Sequence, residues 1–318
     1  ALNVFLITLT LMVGTAGLPH VIIRFYTVPK ASDARWSAGW ALVFIGLLYT
    51  TAPAVAVFSK YNLLNTLANK PVEEVRQIDW VQKWEQTGLL KLQDKNGDGI
   101  LQMSANPDVN EVTIDRDIIV LSTPEVAKLS PFIVGLVAAG GLAAALSTAA
   151  GLLIVIASAI SHDLYTRLIN PGASEATKLL IARVVIFLVV VLAAPFGINP
   201  PAFIAQLVAF AFGLAASTFF PAILLGIFDR RMNMQGAVAG MIVGLVFTAS
   251  YIIGTKYLGW PNFILGITAE GIGAIGMLLN FVVAYLVSRA TPPPPEEIQH
   301  LVDEIRIPKG SAGSALEH

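Results

Sequence analysis

The chain has 318 residues, of which 55% are hydrophobic and only 13% are charged, and its formal net charge is −1. A soluble domain carries roughly 25% charged residues, so the bilayer is expected to be the solvent for most of this chain. The lack of cysteine excludes disulfides and thiolate metal sites, and the near-neutral charge argues against a nucleic-acid partner. The sequence also contains no nucleotide-binding loop or nucleophile-elbow motif, so we expect no enzyme.

Seven segments are long and apolar enough to cross a membrane, since a spanning helix needs ~20 mostly apolar residues. They are predicted at about residues 1–23, 36–59, 130–161, 178–197, 201–228, 235–256 and 263–288. A polar insert occupies residues 60–129, and a tail follows at residues 291–315. The last three residues, 316–318, are typical of an affinity-tag remnant. Because the chain starts inside an apolar segment, we expect that an N-terminal part is missing.

The first segment is interrupted at residues 14–20, GTAGLPH. Two glycines and a proline break the helical hydrogen-bond ladder, and in lipid each freed group costs several kcal/mol unless protein, water or ligand satisfies it. Transporters use such breaks to bind ions and substrates near mid-membrane. Two interpretations therefore stay open: a binding break, or a proline kink healed by a neighbouring helix.

The insert contains the beginning of a calcium-binding loop, DKNGDG. Oxygen-bearing side chains stand at its first, third and fifth positions, which are Asp94, Asn96 and Asp98, and glycine occupies the sixth. The seventh position would contribute the carbonyl of Ile100, and the ninth position is Gln102.

The twelfth position of this loop departs from the calcium-binding pattern. It is normally a bidentate glutamate and is Ala105 here, which either weakens the affinity or moves the last ligand to Asp108 or Glu111. A weak structural calcium site and an unoccupied polar turn remain alternatives.

The third span begins with small residues that let other helices approach its backbone closely. Ala144, Ser147 and Thr148 are spaced i, i+3 and i+4, so they share one helical face. Two hydroxyls and an exposed carbonyl suit a hard monovalent cation. The alternative is that both hydroxyls bond back to carbonyls one turn earlier.

Three further features invite functional or structural interpretations. His162 and Asp163 end the third span. They either form an inner gate with Arg167 or Arg183, or they are a solvated pair at the membrane interface. Glu270 is predicted about two turns into the last span. An acid inside the membrane is either a functional group, or it is stabilised by the dipole near the helix N-terminus while its side chain extends towards the interface. Pro221 is expected to kink the fifth span.

The distribution of basic residues predicts the orientation. One side of the membrane receives nearly all the Lys and Arg of the short loops: Arg24, Lys30, Arg35, Arg167, Lys178, Arg183, Arg230, Arg231 and Arg289. The other side has one such cation, Lys256. The C-terminus is therefore predicted to be cytoplasmic, and the insert to lie outside. Residues 296–307 follow four prolines and form either a short amphipathic helix on the membrane face or a solvated tail.

Two stretches together resemble the sodium:solute symporter family. GTAGLPHVIIRFYTVP (14–29) resembles the broken-helix segment of its acetate-symporter-like members, and ALSTAAGLLIVIASAISHDLY (145–165) resembles the family's sodium-site helix. The likeness extends to about residue 290. It is greatest to a bacterial subgroup that has an insert like KWEQTGLLKLQDKNGDGI and pairs with a small membrane subunit.

The resemblance implies an all-α membrane protein of the amino-acid-transporter type, an inverted repeat of five plus five helices. The first five spans would be the second repeat, and the last two would be peripheral. Ala144, Ser147 and Thr148 would bind the coupling sodium ion. Thr15, Gly17 and His20 are weaker candidates for contacts to the substrate. Residues 19 and 20 depart from the sugar-transporting branch, so sugar is not the expected substrate, and the analogy with the acetate branch favours a small carboxylate.

The resemblance also implies partners and a location. The expected partners are a small organic solute, the missing N-terminal half, the small subunit and lipid, and the expected location is the bacterial inner membrane. A non-transporting receptor and a structural subunit of a split symporter are the alternatives to sodium-coupled symport. The residues do not decide between sodium and protons as the coupling ion.

Overall fold

The structure is a computed structural model that describes residues 1–305. Its described secondary structure consists of helices and one two-stranded antiparallel sheet. The elements are α1 Leu2–Gly17, α2 Pro19–Ile22, α3 Ala31–Leu67, α4 Val72–Arg76, α5 Asp79–Thr87, β1 Leu90–Leu92, β2 Val112–Ile114, α6 Ile119–Val126, α7 Pro131–Ser158, α8 Glu175–Ile198, α9 Ile204–Phe228, α10 Met234–Tyr257, α11 Gly273–Ala290 and α12 Glu296–Glu304. A 3₁₀ turn, Ile23–Tyr26, follows α2, and a π-helical stretch, Ala159–Ile169, extends α7.

Six of the described helices are long and apolar enough to cross a membrane, namely α3, α7, α8, α9, α10 and α11. The bent pair formed by α1 and the helical segment after it makes a seventh when counted as one span. The prediction of an all-α membrane protein with about seven spans is confirmed.

The chain divides into two compact units. The first comprises residues 1–27 together with the chain from residue 155 onward, and the second comprises residues 28–154. In the second unit α3 continues to Leu67, two turns beyond the predicted end at residue 59, so the insert begins later than expected.

A hydrophobic core of its own stabilises the insert of the second unit. Leu67, Val75, Val81, Leu90 and Leu101 are each at most 1% exposed. They come from the end of α3, from α4 and α5, from β1 and from the loop after β1, and they belong to one buried cluster. Strand β1 pairs antiparallel with β2 and closes this core.

Glycine allows α9, α10 and α11 of the first unit to pack very closely. Gly236, Gly240 and Gly244 follow one another at intervals of four on α10, which places them on one face. A Cβ atom at any of these positions would collide with backbone or side-chain atoms of α11 or with the carbonyl of Ser217 on α9. This tandem small-residue motif, typical of membrane helix interfaces, was not among the sequence predictions.

The last span begins at Gly273 and not at residue 263. Residues between these positions are apolar because they fill a protein core: Ile267 and Ile272 are 1% and 0% exposed and pack near Tyr251. The hydroxyl of Tyr251 donates a hydrogen bond to the Ile267 carbonyl over 2.7 Å. Glu270 therefore lies in a loop before the helix, and its predicted position two turns inside a span is wrong.

The chain after α11 forms the helix α12, as one of the two alternatives predicted, and the position of this helix on the membrane face stays a prediction. Two ion pairs stabilise this end of the molecule, Arg289–Asp229 at 2.9 Å and Arg230–Asp303 at 3.2 Å. The predicted tag remnant, residues 316–318, and the end of the predicted tail lie outside the described residues.

Candidate functional site

The predicted break in the first span is present. Helix α1 ends at Gly17, Leu18 adopts an extended conformation with φ −77° and ψ 116°, and Pro19 is the first residue of α2. The helical segments on the two sides are bent by 50°. Proline fits at a first helical position because it has no amide hydrogen to donate and its φ is already helical. The proline thus starts a new helix here and does not merely kink the old one.

The two glycines of the break bring α1 into backbone contact with α9. A Cβ atom at Gly17 would lie 2.6 Å from the carbonyl oxygen of Ala215 and 3.1 Å from the amide nitrogen of Phe220. A Cβ atom at Gly14 would collide with the carbonyl of Phe212. Both glycines are buried, so α9 is the wall against which the broken segment rests.

The three predicted substrate residues differ in their environments. Thr15 is exposed, and its hydroxyl donates to the Leu11 carbonyl one turn earlier over 2.8 Å. Gly17 is buried against α9. His20 is half-buried, and within the described residues its Nδ1 is inaccessible and has no hydrogen-bond partner. Of these three residues, His20 is the one whose side chain has a buried polar atom without a hydrogen-bond partner in the described part of the chain.

An apolar cavity of about 510 Å³ adjoins the break. Its lining comprises Leu18, Pro19, Ala211, Leu214, Ala215, Thr218, Phe219, Val238, Met241, Ile242 and Leu245. Thr218 is the one polar residue of this lining, and its hydroxyl donates to the Leu214 carbonyl of its own helix. The cavity offers no charged partner for a carboxylate.

The predicted sodium residues lie on the continuous helix α7, in the second compact unit. Ala144, Ser147 and Thr148 are all exposed within the described chain. A Cβ atom added at the nearby Gly140 would have no atom within 4 Å. With glycine at position 140 and alanine at position 144, this face carries small side chains, which allow another segment to approach closely.

The calcium-like loop is closed by hydrogen bonds to its own backbone. The Asp94 carboxylate accepts from the amides of Gly97 at 2.7 Å and Gly99 at 2.9 Å. The Asp98 carboxylate accepts from the Ile100 amide at 2.8 Å, and this hydrogen bond lowers the pKa of Asp98. Both glycines have φ of +75°, a conformation that favours glycine over other residues.

Glu111 connects the loop to the core of the insert. Its side chain is 2% exposed and accepts from the backbone amides of Lys95 at 2.8 Å, Asn96 at 3.3 Å and Gln102 at 2.9 Å. The side chains of Asn96 and Gln102 also bond to each other and to Asp98. Among residues 1–305 no group of three or more His, Cys, Asp or Glu side chains is arranged to hold a metal ion.

The end of the third span is π-helical, and the side-chain hydroxyl of Thr166 donates to the carbonyl of Ser161 there. His162 and Asp163 lie in this stretch and form a pair at 2.9 Å, with side chains 56% and 61% exposed. This exposure agrees with a solvated pair.

These features define the class of protein: a multi-pass helical membrane protein with one broken span and a small folded insert. Residues 103–244 match the sequence pattern of the sodium:solute symporter family. The chain is 41% identical over 313 residues to an uncharacterized symporter of Cupriavidus necator, an alignment that covers 96% of this chain and 45% of that protein. It is 31% identical over 252 residues to a monocarboxylic acid transporter of Corynebacterium glutamicum, covering 76% and 36%.

The resemblance to the sodium:solute symporter family that the broken-helix and Ser-Thr segments predicted is confirmed. It spans less than half the length of these two relatives.

Proposed function

We propose that this chain is part of a sodium-coupled symporter for a small organic solute, a monocarboxylate such as acetate. The observation that carries the proposal is the break between α1 and α2, where the helical backbone is interrupted at Leu18. The match to the sodium:solute symporter family gives this break its functional meaning. Broken helices of transporters present unpaired backbone groups to ions and substrates. The name of the Corynebacterium relative supports a monocarboxylate as the solute.

The coupling ion binds, in this proposal, to the Ala144 carbonyl and the hydroxyls of Ser147 and Thr148. A hard cation prefers oxygen ligands, and these three positions share one exposed face of α7. Three ligands are few for such an ion. The remaining ligands come, in this proposal, from a part of the transporter outside this chain, which the longer relatives contain. That part also completes the solute site.

The solute contacts the break, with Thr15, Gly17 and His20 as its proposed partners. The unused Nδ1 of His20 supports this assignment, because an N–H there would donate to a carboxylate once the site opens. Sodium entering down its gradient would favour the outward-open state that accepts the solute. Rocking of the two repeats would then expose both ligands to the cytoplasm.

The remaining proposals concern location and partners. The transporter resides in the bacterial inner membrane with a cytoplasmic C-terminus, and it pairs with a small membrane subunit. The insert lies outside, where its Asp94–Gln102 loop takes up a calcium ion weakly. Five candidate ligands at alternate loop positions support this: Asp94, Asn96, Asp98, Ile100 and Gln102. When calcium binds, the side chains of Asn96, Asp98 and Gln102 exchange their hydrogen bonds to one another for bonds to the metal.

Uptake of labelled acetate by the full-length transporter in proteoliposomes tests the main proposal. We expect uptake in a sodium gradient to exceed uptake in choline buffer at least about tenfold, a difference that corresponds to about 1.4 kcal/mol. The Ser147→Ala/Thr148→Ala double variant should lose this sodium dependence, because both hydroxyl ligands are gone.

A matched control is the Thr50→Ala/Thr51→Ala double variant. It also removes two adjacent hydroxyls from a membrane helix, and these hydroxyls, which donate to carbonyls of their own helix α3, are not among the proposed ligands. Its uptake should remain sodium-dependent. Equal uptake in sodium and choline by the unsubstituted protein, or full coupling in the Ser147/Thr148 variant, would contradict the proposal.

A further inference from the structure

Pro221 leaves a gap in the hydrogen-bond ladder of α9. A proline inside a helix has no amide hydrogen, so the carbonyl four residues earlier, that of Ser217, loses its helical partner. Ser217 is 0% exposed. In lipid or a packed core, a carbonyl without a partner is strongly unfavourable, so a replacement donor is needed.

Asn280 of α11 supplies that donor. Its Nδ2 donates to the Ser217 carbonyl at 2.8 Å and to the Thr218 carbonyl at 2.9 Å. The side chain is 0% exposed, so these hydrogen bonds form away from solvent. Asparagine is the single polar side chain that reaches both carbonyls among the described hydrogen bonds.

Helix α10 closes over this contact. A Cβ atom at Gly244 would collide with the Ser217 carbonyl, and a Cβ atom at Gly240 would collide with Oδ1 of Asn280. The absence of side chains at both glycines lets three helices meet at the gap that Pro221 creates. The Asn280 side chain can therefore reach the gap directly.

The same stretch of α9 supports the break in the first span. The Ala215 carbonyl and the Phe220 amide, which flank Ser217 and Thr218 along the helix, are the atoms nearest to Gly17. Any displacement of this stretch is transmitted to Gly17 directly, because the contact is between backbones and has no flexible side chain to absorb it.

We propose that Asn280 is a positioning residue for transport. By holding the carbonyls of Ser217 and Thr218, it fixes the part of α9 that sets the location of the break between α1 and α2. This inference rests on the proposed function of the break as a solute site. It adds a residue of α11, a helix that the family resemblance treats as peripheral, to the groups that determine solute affinity.

The test is solute uptake by the full-length transporter carrying Asn280→Leu, a substitution that keeps the number and branching of the side-chain heavy atoms and removes the donor. We expect the KM for acetate to rise about fivefold, which corresponds to about 1 kcal/mol, the upper part of the range for a hydrogen bond between membrane helices. Vmax per folded molecule should change by less than about twofold. Folded protein is quantified by size-exclusion chromatography.

A second substitution makes the test independent of folding. Pro221→Ala restores an amide hydrogen at position 221, which can donate to the Ser217 carbonyl and makes the Asn280 donor redundant. In the Pro221→Ala background, Asn280→Leu should therefore raise the KM by less than about 1.5-fold. Thr255→Val is the control for removing a polar group, because the Thr255 hydroxyl bonds only within α10.

The outcomes separate the two proposals. No sodium-dependent uptake by the unsubstituted transporter would overturn the transport function and this inference with it. Normal uptake by the unsubstituted protein together with an unchanged KM in Asn280→Leu would overturn the positioning role alone. An equal rise in KM with proline or alanine at position 221 would do the same, because the effect would not pass through the gap in α9.

Discussion

Glycine at position 17 serves two roles that the sequence does not distinguish. A glycine beside a proline in a membrane segment indicates a break, and a break indicates a binding site. In the structure Gly17 is also a contact point between two helices, with the Ala215 carbonyl where a side chain would begin. A substitution there therefore tests packing first, whatever the glycine contributes to binding.

Replacing Gly17 by alanine should destabilise the protein by about 1–2 kcal/mol. The new methyl group would lie 2.6 Å from a carbonyl oxygen, so the backbones must separate. Overpacking typically costs about 1–3 kcal/mol, and the better helix propensity of alanine returns at most about 1 kcal/mol. Thermal unfolding in detergent measures the change.

Gly226→Ala, on the partner helix α9, is the matched control. Gly226 is exposed near the end of α9, and a Cβ atom there has no atom within 4 Å. This variant should be as stable as the parent or slightly more stable. A Gly17→Ala protein that unfolds at the same temperature as Gly226→Ala would show that α1 and α9 are not in backbone contact.

At the scale of elements, the long apolar helices could be predicted because lipid imposes one requirement, about 20 apolar residues, that composition reveals. The error at the last span has the same origin. Residues such as Ile267 and Ile272 are apolar because they fill a protein core, and hydropathy does not distinguish burial in protein from burial in lipid. The helix therefore begins at Gly273, later than expected.

Pairings between elements could not be predicted for a different reason. Pro221 and Asn280 are each visible in the sequence, as a kink and as a polar residue in an apolar helix. Their relation depends on which helix packs on which, and on the glycines of α10 that allow it. The sequence connects Glu111 to the loop only as a candidate replacement calcium ligand. That its carboxylate accepts from the backbone amides of Lys95 and Gln102 depends on the folded insert and could not be predicted.

The insert offers a prediction at this scale. If its loop binds calcium with the weak affinity of extracellular modules, Kd about 10⁻⁴–10⁻³ M, a calcium concentration ten times the Kd should stabilise the insert by about 1.4 kcal/mol. Hydrogen exchange of residues 90–112 with and without calcium measures this change.

Two double variants sharpen the calcium experiment. Asp94→Asn/Asp98→Asn should abolish the calcium effect, because it removes both carboxylate ligands of the loop. Asp115→Asn/Asp117→Asn removes the same amount of charge from a part of the insert outside the loop. This control variant should retain the calcium effect. Protection that is equal with and without calcium, at about 10 mM, would mean that the loop is a polar turn held by its internal hydrogen bonds.

At the scale of the whole molecule, the loop before α11 joins three long helices of the first unit. Glu270 in this loop pairs with Lys256 of α10 at 2.9 Å and accepts a hydrogen bond from Gln206 of α9. Its side chain is 18% exposed. Burial opposes ionisation of this carboxyl, but the hydrogen bonds from Lys256 and Gln206 outweigh it and lower the pKa of Glu270 to about 2.

The depressed pKa makes stability depend on pH in a defined direction. The ordinary pKa of a glutamate is 4.5, so the charge of Glu270 contributes stability above pH 4.5, and this contribution is lost as the pH falls from 4.5 towards 2. Glu270→Gln should lower stability at pH 7 by on the order of 1–2 kcal/mol, between the values for exposed and buried pairs. Thermal unfolding of the parent and the variant at pH 7, 5, 4 and 3 should show the two melting temperatures converging below pH 4.5. A constant difference down to pH 3 would mean that the carboxylate of Glu270 does not hold these helices together.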